Sequence, residues 1–204
     1  MERDVMEYDV LIVGAGPAGL SAAIRFAQLN KKNNTNHSIC VIEKGSEVGA
    51  HILSGNVFEP TALNELIPDW KEKNAPLESP VKKDVVKYLI NKNISIPVPF
   101  PGIFMPNFNN HGNYIMSLAN FCRWLAKEAE SLGVEIFAGF TASEVLIEDD
   151  TLKGIVTGEM GVGKDGEKKP SYQPSMELRA KYTILSEGCR GHLGKQIIKR
   201  FNLD

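Results

Sequence analysis

An α/β fold organised around a parallel sheet is predicted by three observations. Tyr8-Asp9-Val10-Leu11-Ile12-Val13 is a short apolar run rich in β-branched residues and stopped by glycine, as a strand buried on both faces should be. Helix formers follow at once from Pro17 to about Leu29, with Leu20, Ala23, Phe26 and Ala27 making a face that can lie on a sheet. Ser38-Ile39-Cys40-Val41-Ile42 is a second apolar run, ending at Glu43 and completing a β-α-β unit of the expected length.

The rest of the chain follows in order. Asn30 to His37 is polar and asparagine-rich and predicts a surface loop, with His37 solvated. The segment from Gly45 to Gly55 is a loop spaced by Gly45, Gly49 and Gly55, after which a short helix is expected from Pro60 to Leu66 and a polar, proline-marked stretch to Pro80. Val85, Lys87 and Leu89 alternate with their neighbours, Asn91-Lys92-Asn93 can turn, and Ile94, Ile96 and Val98 alternate again, which is a hairpin pattern. Pro97, Pro99 and Pro101 push its second arm to a sheet edge.

Leu118, Phe121, Cys122, Leu125, Ala129 and Leu132 recur at helical spacing, and Gly133 ends that helix. Strands are expected at Val134–Phe137, Ala142–Ile147, Leu152–Thr157 and Tyr182–Ser186, with an exposed Gly- and Lys-rich loop over Gly158–Lys169.

Composition narrows the function. The 204 residues have room for one good core, and 23 basic against 25 acidic side chains leave a net charge of -2. Such a balance offers no strongly basic face, so nucleic acid is not an expected partner. Cys40, Cys122 and Cys189 lie too far apart to ligate a zinc or iron-sulfur centre by themselves, and Cys40 and Cys122 read as core residues in a reducing compartment. The acidic start resembles neither a secretory signal nor a transit peptide, and no apolar stretch approaches a spanning helix, which leaves open a chain resting on a membrane surface.

Gly14-Ala15-Gly16-Pro17-Ala18-Gly19 is a G-x-G-x-x-G that leaves an apolar strand and opens a helix. In that setting Gly14 permits the tight turn, Gly16 lets backbone approach a pyrophosphate, and Gly19 allows helix and strand to pack. With Val13 and Leu20 at its ends, the turn would offer free N–H groups and a positive helix end to phosphates. Glu43, followed by Lys44, stands where a carboxylate accepts from a ribose 2′-hydroxyl and opposes a 2′-phosphate. These features make a Rossmann-like site for an adenine dinucleotide without deciding between NAD and FAD. The small residues of the Gly45–Gly55 loop suit close approach to a flat ring, or an ordinary surface loop; His51 is a ligand contact or simply a loop histidine.

Further stretches complete a pattern with the glycine motif: Gly49-Ala50-His51-Ile52-Leu53-Ser54-Gly55, Pro68-Asp69-Trp70-Lys71-Glu72-Lys73, Asn110-His111-Gly112-Asn113-Tyr114-Ile115 and Ser186-Glu187-Gly188-Cys189-Arg190-Gly191-His192-Leu193. Together they resemble the electron transfer flavoprotein-ubiquinone oxidoreductase family nearly end to end. The resemblance implies a Rossmann-like FAD-binding domain of the glutathione-reductase type, incomplete at its C-terminus, with an inserted β-rich segment. It divides the chain into residues 1–80 and 117–204, which build the FAD domain, and residues 81–116, which face membrane and quinone. The cofactors implied are FAD and a [4Fe-4S] cluster whose ligands lie outside this chain. The implied partners are electron transfer flavoprotein, ubiquinone and the surface of a bacterial or mitochondrial inner membrane, held monotopically.

On the same basis Gly14, Gly16, Gly19 and their neighbours hold the FAD pyrophosphate, Glu43 holds the adenosine ribose, and Gly49, His51, Leu53, Ser54 and Gly55 run near the isoalloxazine. Glu187-Gly188 resembles a second flavin-contacting strand end that usually carries Asp, so the role of Glu187 is left open. Ser117 occupies the helix start where related flavoproteins carry Arg, and Arg123 is displaced from it, so no phosphate-binding Arg is assigned. Phe100, Ile103, Phe104 and Met105 form an uncharged patch, either an interfacial anchor or one arm of a packed hairpin. Another FAD-dependent reductase or hydroxylase of similar fold, or a nucleotide-binding fragment without activity of its own, are the rival readings.

Overall fold

The computed structural model describes residues 3–53, 55–99, 109–163 and 165–203. Its elements begin with β1 (Val5–Val13), α1 (Pro17–Asn33), β2 (Ile39–Glu43), β3 (Asn56–Phe58), α2 (Thr61–Leu66), β4 (Ser79–Pro80), β5 (Lys87–Asn91), β6 (Ile94–Pro97) and β7 (Tyr114–Met116). There follow α3 (Leu118–Ser131), β8 (Glu135–Ala138), β9 (Ala142–Glu148), β10 (Thr151–Thr157), β11 (Met160–Val162), β12 (Lys168–Gln173), β13 (Glu177–Leu185), a 3-10 turn at Gly188–Arg190 and α4 (Leu193–Phe201). Two compact units result, one from Met1–Ile52 with Cys122–Asp204 and the other from Leu53–Phe121.

The first unit is built on a sheet of order β8-β2-β1-β13-β10-β9. Four strands, β8, β2, β1 and β13, run parallel, and β10 and β9 continue the sheet antiparallel. The apolar runs read in the sequence are its centre: Leu11, Ile12, Cys40 and Val41 are fully buried, and Leu20, Ala23 and Ile24 supply the buried face of α1. Val13 pairs with Ile42 on one side and Leu185 on the other, so β2, β1 and β13 end level. Their connections therefore emerge together at the carboxyl edge, where open α/β sheets bind ligands.

Three segments depart from expectation. α1 runs on to Asn33 through residues expected to be loop, and Asn34 stops it in a left-handed conformation with its N–H on Asn30 O; Lys31 and Lys32 suit the negative helix end. Inside the expected Gly158–Lys169 loop, β11 and the start of β12 pair as a hairpin. His37, although exposed, has Nδ1 3.7 Å from Asp9 Oδ2.

The second unit carries a three-stranded antiparallel sheet of order β3-β7-β4. Trp70 packs edge-on against Tyr114 at 5.7 Å and donates its Nε1–H to Asn64 Oδ1 at 2.7 Å. The hairpin expected from alternation is β5–β6, and every residue in its two strands is exposed, Tyr88 and Leu89 by about 70%. The patch containing Phe100, Ile103, Phe104 and Met105, like Ser54, lies outside the described residues.

Candidate functional site

The turn from β1 into α1 is fixed by backbone. Gly14 N–H donates to Ile42 O at 2.8 Å and Ser186 N–H to Val13 O at 2.8 Å, which lashes the ends of three neighbouring strands together. Gly14 has φ +105°, and a Cβ there would stand 2.5 Å from Ser186 O; a Cβ on Gly19 would stand 2.0 Å from Gly14 O. Those two positions admit only glycine for reasons of fold. Gly16 differs: its φ is -80°, and a Cβ would meet nothing within 4 Å.

The start of α1 is thus open on the side where Gly16 lies. Its N-cap makes no side-chain hydrogen bond, no acidic residue stands in the first turn, and Pro17 has no N–H to satisfy. Helix N–H groups without intrahelical acceptors, at the positive end of the helix dipole, form an anion site. Val13, Ala15 and Leu20 are buried and contribute backbone shape, whereas Pro17 and Ala18 are exposed.

Glu43 has a role that the sequence did not disclose. Its Oε2 accepts the Ala15 N–H at 3.0 Å and its Oε1 the Gly45 N–H at 2.8 Å. One carboxylate therefore joins the glycine turn to the loop after β2, and the Ala15 N–H is already committed to it. A carboxylate has about four acceptor positions, so half remain for hydroxyl donors. The two positions left on this carboxylate match in number the two hydroxyls of a ribose diol.

Beyond Glu43 the loop continues through exposed Lys44, buried Gly49 and exposed His51, Leu53 and Gly55, with Leu53 88% exposed. Arg123 on α3 donates from Nη2 to Glu47 Oε1 at 2.9 Å, tying this loop to the helix. Gly139 N–H to Gly45 O, at 2.7 Å, holds it to the end of β8.

At the end of β13, Glu187 is a helix cap. Its Oε1 accepts from His192 N–H at 3.2 Å and Leu193 N–H at 3.3 Å, and its Oε2 from Gly194 N–H at 3.0 Å. The side chain left undecided by sequence thus fills the N-terminus of α4, while Gly188 is exposed in the 3-10 turn. An acidic residue shortly before the amphipathic run Leu193–Phe201 was the available signal. Cys40 and Cys122 are buried as expected, and burial pushes their thiols up to about 12 and about 11, which makes them unreactive. Among the described residues no group of His, Cys, Asp and Glu could hold a metal ion.

Residues 12–68 match the family described as NAD(P)-binding Rossmann-like domain. Over 207 residues the chain is 58% identical to the electron transfer flavoprotein-ubiquinone oxidoreductase of Pseudomonas aeruginosa, covering 100% of this chain and 37% of that protein. It is a homologue of these oxidoreductases. The human mitochondrial electron transfer flavoprotein-ubiquinone oxidoreductase is 50% identical over 205 residues, covering 100% of this chain and 33% of its own length. The chain therefore spans about a third of the curated relatives it matches. Among solved structures, a geranylgeranyl bacteriochlorophyll reductase-like protein from Thermoplasma acidophilum superposes with a TM-score of 0.65 at 22% identity, over 94% of this chain and 42% of that one. A myxobacterial chondrochloren halogenase, a variant of FAD-dependent halogenases, gives 0.58 at 17% identity, over 94% of this chain and 39% of that one. These structures share the Rossmann-type fold.

Proposed function

We propose that this chain is the dinucleotide-binding portion of an FAD-dependent oxidoreductase that passes electrons from reduced electron transfer flavoprotein to ubiquinone. The observation that carries the reading is the uncapped start of α1, with Gly16 facing open space beside Glu43, in a chain 58% identical along its whole length to an enzyme of that name. Gly16, Ala18 and Gly19 would hold the diphosphate, with Val13, Gly14, Ala15, Pro17 and Leu20 shaping the turn. Glu43, steadied by Ala15 and Gly45, would accept from the adenosine ribose, with Lys44 at the cradle's rim. Gly49, His51, Leu53, Ser54 and Gly55 would follow the ring system, and Gly188 would contact it from the β13 side.

FAD, when bound, supplies an electron-accepting ring, so this chain needs no paired acid and base and its residues serve to bind and orient. Residues 1–80 and 117–204 form the FAD-binding part and 81–116 an insertion that faces quinone and membrane. The exposed apolar side chains of β5–β6 support that assignment, since solvated patches of this kind mark interaction surfaces. No described helix is long and apolar enough to cross a membrane, which is compatible with monotopic attachment to a bacterial or mitochondrial inner membrane.

The test uses the full-length gene product. Visible flavin absorption and quinone-dependent oxidation of reduced electron transfer flavoprotein are both expected. Flavin bands without the quinone reaction would point to another FAD reductase or hydroxylase, and absence of both would overturn the reading.

A further inference from the structure

The Asn110–Ile115 stretch stood out in the sequence, and the cradle does not account for it. Asp84 accepts two hydrogen bonds from Asn110, one from its backbone N–H to Oδ2 at 3.0 Å and one from its Nδ2 to Oδ1 at 2.7 Å. These donors hold the Asp84 carboxyl below its usual range. The exposed β5–β6 hairpin lies between Asp84 and Asn110 in the chain, and the clamp joins the two residues that bracket it in sequence.

From the clamp the order passes along backbone. Asn110 O accepts the Asn113 N–H at 3.0 Å, and Asn113 O accepts the Val81 N–H at 2.8 Å. This sets β4 against β7, with Pro80 opposite Tyr114 and Ser79 opposite Ile115. The other side of β7 carries β3, with Asn56, Val57 and Phe58 opposite Met116, Ile115 and Tyr114. Asn56 is the residue immediately after Gly55. β3 and β7 have three residues each and β4 two, and ladders so short depend on their ends being held.

We infer that Asp84 is a positioning residue for flavin: by clamping Asn110 it fixes β7 and, through it, β3, whose first residue Asn56 directly follows Gly55. The inference rests on the flavin reading above and concerns this chain's own backbone. A carboxylate is needed because it is acceptor-only, whereas Asp84→Asn turns one acceptor into a donor facing the Asn110 donors.

The experiment takes full-length protein, unsubstituted and D84N, and measures backbone amide exchange, ADP affinity and the visible spectrum of bound flavin. Loss of a charge-assisted bond predicts about tenfold or faster exchange at Val57, Phe58 and Ile115. The flavin band should shift, while exchange in β1 and β2 and ADP affinity stay unchanged. Asn110→Ala removes the Nδ2 bond to Asp84 and the longer Asn113 Nδ2–Asn110 Oδ1 bond at 3.4 Å but leaves the backbone N–H on Asp84, and should give the same pattern; it serves if D84N does not accumulate. Unchanged exchange at β3 and β7, faster exchange with an unmoved flavin band, or loss of protection throughout both units would each overturn the role. If the unsubstituted protein holds no flavin, the functional reading falls, while the exchange measurement still decides the clamp.

Discussion

α1 and α4 follow neighbouring strands of one sheet, β1 and β13, whose last residues are paired Val13 to Leu185. The N-cap of α1 makes no side-chain hydrogen bond among the described residues, whereas the start of α4 has three N–H groups donated to Glu187. Helix starts present four N–H groups without intrahelical partners, and an anion there is favourable whether it comes from the chain or from a ligand. The chain sets its own carboxylate on α4, while the first turn of α1 carries no acidic residue. The other nearby carboxylate, Glu43, takes the Ala15 N–H and lies at the flank of the turn. Two similar strand-to-helix passages thus differ: one is closed by the chain's own carboxylate, and the other is the start assigned to the diphosphate in the proposed reading.

The largest effects should come from forcing a side chain into the α1 turn. Gly14→Ala places a methyl 2.5 Å from Ser186 O at φ +105°, and Gly19→Ala places one 2.0 Å from Gly14 O. Each should cost about 3 kcal/mol or more, from strain and overlap combined, and show as loss of folded protein in denaturant titrations. A Gly14→Ala protein of unchanged stability would show that the turn is not held as described. Gly16→Ala should separate fold from binding, because its backbone accepts alanine and the new methyl occupies only the open side. Unfolding should be unaltered while ADP or FAD affinity falls about 10- to 100-fold, the loss of a charge-assisted backbone contact, read by titration calorimetry.

Glu187→Ala probes the other half of the comparison. It frees three N–H groups at the start of α4 and should lower stability by about 1–3 kcal/mol. For a chain of this size that is about 2–4 °C in Tm per kcal/mol. ADP affinity at α1 should not change; a fall would mean that the two helix starts share the ligand. Glu187→Asp shortens the reach to those N–H groups and should recover only part of the loss.

The glycine turn and its central strands were legible because they depend on local pattern. Val10 to Val13, Gly14 to Gly19 and Ile39 to Glu43 state apolar run, turn and acidic strand end in consecutive letters. The β5–β6 hairpin was legible by alternation even though no core rewards it. Elements built from distant pairing were not. β3, β7 and β4 are too short for a period to show, and β11–β12 hides in a Lys- and Gly-rich composition that reads as loop. The double grip of Glu43 on Ala15 and Gly45 and the Glu187 cap are matters of rotamer and backbone path, which residue order does not give. Asn30 to Asn33 failed for the opposite reason: composition argued for a loop, yet four residues added to a helix already nucleated cost little.

The smallest effect falls on the strands that both helices share, and it should leave their contrast intact. Asp9 in β1 accepts from Lys181 of β13 at 2.6 Å and from the Ser38 N–H, ahead of β2, at 2.8 Å. Chiefly through Lys181, its carboxyl is lowered from 3.8 to about 2. A carboxyl depressed in the folded state contributes stability that is complete above its unfolded value, and that contribution disappears as pH falls through the folded value. Between about pH 4 and pH 2, then, urea midpoints should drop less steeply for Asp9→Asn than for the unsubstituted chain, and the two curves should run parallel above pH 5. Lys181 is largely exposed, so salt should shrink the difference. Because Asp9 touches neither helix start, D9N should alter neither the ADP affinity at α1 nor the stability lost on Glu187→Ala. A D9N protein with weakened ADP binding near neutral pH would show instead that strand pairing, and not the open helix end alone, sets the shape of the cradle.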